Sequence, residues 1–174
     1  MGEKIIIAFL AATFALYLKF YYDIYLENKK LKEFKRSMIR VVEKRLIPKY
    51  NNISSDYQDL YTAILNHLPG EKITFTINSY SLKENDLRDY FPLENIIKIF
   101  NRTQKVSYNA VLKIEEYIIL LNRFSPEILA LQYNDNPDDK PNILNKIKVF
   151  KGYSNSIISI YEKILADLKQ NTFD

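Results

Sequence analysis

The side chains able to do chemistry are few, and their spacing does not bring them together. The chain has one His, His67, and no Cys. That rules out disulfide frameworks, thiolate metal sites, cysteine nucleophiles and any single-chain site built on two imidazoles. A bundle-core di-iron site, which uses two Glu-x-x-His pairs, is excluded on the same count. Carboxylates are paired at Asp86/Asp89, Glu115/Glu116 and Asp138/Asp139. Such pairs can divide the roles of general acid and base or hold a cation. Adjacent helix residues point in different directions, however, so Glu115 and Glu116 cannot face one pocket. The other two pairs sit in hydrophilic stretches where solvation is their expected fate. Counted from Asp135 as the first position of a calcium loop, Lys140 and Lys146 stand where Gly and Glu belong. The 3 Gly of the chain are too scattered to cradle a phosphate. His67, at the end of a helical pattern, reads as a capping or surface residue. The expectation is therefore no catalytic residue, no cofactor, no metal and a non-enzymatic function.

The chemistry that remains is that of charge meeting a surface. Residues 27–50 carry nine basic and three acidic side chains, a net of +6, whereas 51–174 carry 14 and 16, a net of −2. The formal net charge of +4 therefore belongs to one short segment. Lys29, Lys30, Lys32, Lys35, Arg36 and Arg40 are its candidate contacts to anionic lipid headgroups, each gaining on the order of 1 kcal/mol close to such a surface. The same cluster could hold nucleic-acid phosphates. No base-reading motif accompanies it, so nucleic acid is not the expected partner.

The element that would bring these cations to a membrane precedes them. Residues 5–18 form an uncharged run of 14, about 21 Å of helix, short of a hydrocarbon core of ~30 Å. If Lys19 snorkels, Phe20, Tyr21 and Tyr22 continue the apolar surface and the span reaches roughly 27 Å. Tyr17, Lys19, Phe20, Tyr21, Tyr22 and Tyr25 then form an interfacial belt on the C-terminal side. A cleaved signal peptide and a buried core helix are the competing readings. The basic flank lies after the span, which by the positive-inside rule sets the C-terminal domain in the cytoplasm.

Beyond this segment the periodicity is helical. Leu31, Phe34, Met38, Val41 or Val42, and Leu46 carry one helix to a break at Pro48. Ser55 to Gln58 is a capping-box pattern for a short helix ended by Pro69-Gly70. Residues 72–78, with Ile73, Phe75 and Ile77 alternating against Thr74 and Thr76, have a strand pattern. This piece either pairs with a partner chain, forms a small hairpin, or packs as an extended link across helices, and the link is the preferred reading. A second capping box at Ser81 to Glu84 opens a short helix to about Tyr90, and Pro92 opens the next. Val111, Ile114, Ile118 and Leu121 mark a helix that is apolar on all sides near 117–121, and Ser125-Pro126 restarts the chain. Ile143, Ile147, Phe150, Ser154, Ile157, Tyr161, Ile164 and Leu168 make a heptad seam, the strongest periodic signal, with Gly152 a point of weakness. Leu144, Ile158 and Leu165 widen the stripe, favouring packing within the protomer over packing between copies.

The expected fold is mostly α: an N-terminal single-pass transmembrane helix (1–26), a basic juxtamembrane helix (27–50) and a bundle of about four main helices (51–174), with at most one short β element at 72–78. The expected function is that of a membrane-anchored, non-enzymatic binding or scaffold module facing the cytoplasm, or a small subunit of a membrane complex. Its partners are membrane lipid and a protein or second copy, with any small molecule left open. The alternative is an extracytoplasmic ligand-sensing or envelope-associated domain on a signal anchor.

Overall fold

The chain does not break at Pro48. In this computed structural model, which describes residues 2–68, 71–75, 86–103 and 108–170, α1 (Gly2–Val41) passes through a π-helical turn (Val42–Leu46) into α2 (Ile47–Asn66). Pro48 has no N–H, and its ring crowds the carbonyl four residues back, that of Lys44. The chain meets both demands by widening one turn: the Ile47 N–H donates to the Val42 carbonyl, five residues behind it. The apolar register accommodates the extra residue. Met38, Val42, Leu46 and Tyr50 are spaced by three steps of four, where a heptad stripe alternates fours and threes, and all four are buried. Ser55 and its neighbours, expected to open a helix, lie inside α2, because helix already runs through them.

α7 (Lys140–Gln170) lies antiparallel against this rod. Lys140 Nζ reaches the Leu65 carbonyl at 3.0 Å, Ser54 Oγ donates to Asn155 Oδ1 at 2.8 Å, and Lys169 pairs with Glu43 at 2.8 Å. Between these points the rings of Tyr57 and Phe150 stack with centroids 6.4 Å apart, and those of Tyr50 and Tyr161 are 6.1 Å apart. All eight residues of the expected seam are buried, and they pack inside the protomer against α1, the π turn and α2. Gly152 does not interrupt α7.

The remaining helices cover this pair. α3 (Leu87–Tyr90) and α4 (Leu93–Thr103) pack on α1, α5 (Tyr108–Arg123) packs along α7, and α6 (Pro126–Asp135) closes the end near His67. Ser125 caps α6 by accepting the Ile128 N–H at 3.3 Å, as its place before Pro126 predicts. α5 is tied to α7 by Tyr117 stacked on Tyr153 at 5.0 Å and Phe124 on Phe150 at 4.8 Å. Tyr57 reaches across to donate its hydroxyl to the Phe124 carbonyl at 3.0 Å, satisfying an orphan acceptor at the end of α5.

The strand alternative lacks support: among the described residues there is no strand, 71–75 being irregular as the preferred link requires, and the rest of the 72–78 pattern, with Ile77, lies outside the described residues, as does the Ser81 capping box. A side-chain amide takes the place of a partner strand. The Ile73 N–H donates to Asn134 Oδ1 at 2.8 Å and the Ile73 carbonyl accepts from Asn134 Nδ2 at 2.9 Å, while Ile73 and Phe75 pack on the core. The expected transmembrane span also lacks support, since among the described residues no helix is long and apolar enough to cross a membrane. Lys19 and Asp23 interrupt the apolar stretch, and tyrosines rather than aliphatic residues make up much of its C-terminal end.

Candidate functional site

The N-terminal stretch of α1 stands clear of the core over its described side chains. Residues 9–25 are exposed on every side of the helix, among them Phe9 at 71%, Leu16 at 69% and Phe20 at 65%. Among the described residues, Leu31 is the first fully buried one. An aliphatic and aromatic surface of this extent is far more than an unpartnered monomer normally leaves in water. Its one hydroxyl before the tyrosines is satisfied internally, Thr13 Oγ1 donating to the Phe9 carbonyl at 2.8 Å. The belt residues Tyr17, Lys19, Phe20, Tyr21, Tyr22 and Tyr25 are all exposed, with the Tyr17 and Tyr21 rings 6.2 Å apart along the axis.

Helical phase sorts the six cations. Lys29, Lys32, Arg36 and Arg40, spaced three, four and four apart, share one outward stripe, and Lys30 is exposed on its flank. Leu31, Lys35 and Met38 share the opposite, packed face. Lys35 therefore stands apart from the five exposed cations: it is buried, and burial lowers the pKa of its amine. α4 reaches the base of the exposed segment, where Lys98 pairs with Glu94 at 2.9 Å and Glu27 at 3.4 Å, which raises its pKa.

The carboxylate pairs are parts of the scaffold. Asp86 caps α3, accepting the Leu87 N–H at 2.6 Å, while Asp89 Oδ2 accepts the Asp86 N–H at 2.9 Å. Arg88 bridges Asp86 at 3.0 Å and Glu115 at 2.8 Å, so the two acids the sequence offered in separate pairs meet across one guanidinium. Asp86 is buried and also accepts the hydroxyl of Tyr161 at 3.3 Å. Burial raises its pKa despite Arg88, and burial with the neighbouring carboxylate raises that of Tyr161. Glu116 is exposed, and Asp139 accepts from Asn142 at 3.0 Å. His67 closes α2, its Nδ1 3.0 Å from the Tyr133 hydroxyl and its ring edge-on to that tyrosine. Spacing alone did not reveal the Asp86–Arg88–Glu115–Tyr161 cluster, because its members come from three helices.

No protein-family model, curated protein or solved structure matches this chain.

Proposed function

We propose that the chain is a membrane-associated, non-catalytic helical module. Residues 5–25 seat in lipid, the stripe of Lys29, Lys32, Arg36 and Arg40 with Lys30 pairs with anionic headgroups, and the bundle is presented to a protein partner on the cytoplasmic side. The observation that carries this reading is the stretch 9–25, exposed all round and dominated by large apolar side chains. A hydrocarbon environment removes that surface from water at roughly 25 cal/mol per Å². Lys19 would extend its amine toward the headgroups beside the tyrosines.

The test uses the full chain. Flotation with vesicles containing anionic lipid, followed by alkaline carbonate extraction, should leave the protein with the lipid. Replacing the five exposed cations by Gln should weaken the electrostatic part, seen as lost salt dependence of vesicle binding. A single Cys introduced at the exposed Asn136 reports the side of the membrane: labelling by an impermeant maleimide only after lysis supports the cytoplasmic orientation. A protein that stays in solution as a defined oligomer, with no lipid association, would replace lipid by further copies of α1 as the cover for this surface.

A further inference from the structure

We infer that the groove between α2 and α7 around Gly152 is a binding site for a small organic anion, a carboxylate attached to a flat apolar body. The recess holds about 340 Å³ and is lined by Gln58, Tyr61, Ile147, Lys148, Lys151, Gly152 and Asn155, within the range of small-molecule pockets.

The glycine is the first observation. It sits within the 31-residue α7, where glycine is the least helix-favouring residue after proline. Helical glycines are usually explained by a neighbour that would strike a Cβ. Here a Cβ would meet nothing within 4 Å. Gly152 also keeps a helical backbone and needs no left-handed freedom. What its missing side chain leaves open is the floor of the recess.

The polarity of the walls is the second observation, independent of the first. Lys148, Lys151, Gly152 and Asn155 fall at i, i+3, i+4 and i+7, one face of α7. Among the described residues, neither ammonium has a carboxylate partner. Lys148 Nζ lies 5.2 Å from the centroid of the Tyr61 ring, and Lys151 Nζ donates to Gln58 Oε1 at 2.7 Å. Asn155 accepts from Ser54 through Oδ1, which leaves the amide Nδ2 as a donor. Two cations and an amide donor line the recess and no acid does, which selects an anion. The half-buried Tyr61 ring and the bare glycine backbone, over the buried Ile147, offer a flat apolar surface for the rest of the molecule.

Full-length protein in detergent micelles, titrated with benzoate and with benzylamine as the charge-reversed control, tests this through backbone amide chemical shifts. Benzoate should give saturable shifts centred on Gly152 and Asn155, and benzylamine none there. Gly152→Ala should fold with a raised thermal midpoint, since the methyl meets no atom, yet bind benzoate roughly tenfold more weakly. Lys148→Gln with Lys151→Gln should abolish the shifts while leaving the midpoint nearly unchanged. Non-saturating shifts spread over all exposed lysines, equal shifts with benzylamine, or undiminished binding by Gly152→Ala would each overturn the assignment.

Discussion

Asp86 is pulled two ways. Its carboxylate accepts the Leu87 N–H, the Tyr161 hydroxyl and the Arg88 guanidinium, all of which favour the charged form, yet burial outweighs them and its pKa ends above the ordinary 3.8. Folding therefore takes up a proton just above that value. The contribution of Asp86 to stability is greatest at acid pH and declines as pH rises through its folded pKa, the reverse of the usual carboxylate. Asp86→Asn keeps an acceptor for Leu87 and Tyr161 and removes the buried charge. Its stability at neutral pH should match the parent or exceed it by up to about 1 kcal/mol, with a flatter profile from about pH 4 upward. Asp86→Ala removes the cap and strands the Tyr161 hydroxyl, and should cost about 1–3 kcal/mol. Urea unfolding across pH distinguishes them; an Asn variant as damaged as the Ala variant would mean that the Arg88 pair outweighs burial. Lys35 teaches a related lesson. Counting charges groups it with its basic neighbours, but phase puts it with Leu31 and Met38, and phase decides what a helical residue touches.

The π turn makes its own prediction at the level of elements. Lys44 is exposed within it, so deleting Lys44 should convert the turn to α-helix and keep the seam residues on both sides facing α7. Pro48 would then crowd a carbonyl with no wide turn to relieve it, at a cost of about 3 kcal/mol. Adding Pro48→Ala to the deletion should recover most of that loss in a thermal melt. Deleting the exposed Asp59 instead turns the rest of the rod by about 100° against α7, and no proline replacement should rescue it. The signal for this turn is present in the three successive four-residue steps from Met38 to Tyr50, but a proline inside a helical pattern reads as a stop. The seam of α7 was legible to the residue because eight apolar or small side chains recur on one face over many turns. The 72–78 alternation left strand and link both open because it reports one buried side, which a link held by Asn134 satisfies as well as a strand does. For the candidate site, the exposed aromatics and five of the six cations could be read from order along the chain. The clustering of Asp86, Arg88, Glu115 and Tyr161 could not, since it depends on how three helices meet.

At the scale of the whole molecule, exposed helix, basic stripe and bundle core share one uninterrupted helical backbone from Gly2 to Asn66. No glycine-rich or irregular linker separates the part proposed to sit in lipid from the part that packs on α7. Vesicle binding by the full chain should accordingly fall with added salt, through the stripe, but not vanish, because the apolar segment is insensitive to screening. The continuity of the rod also governs how the molecule tumbles. A domain on a flexible tether reorients almost as if it were free, whereas one built on the same helix as its anchor must turn with it. On a vesicle, a dye at residue 136 should show a high residual fluorescence anisotropy. A short Gly-Ser insertion after Asn28 should restore fast rotation without unfolding the bundle. An adapter held this way presents one side of itself at a set angle, so a partner confined to the same plane would search for it in two dimensions with its orientation already chosen.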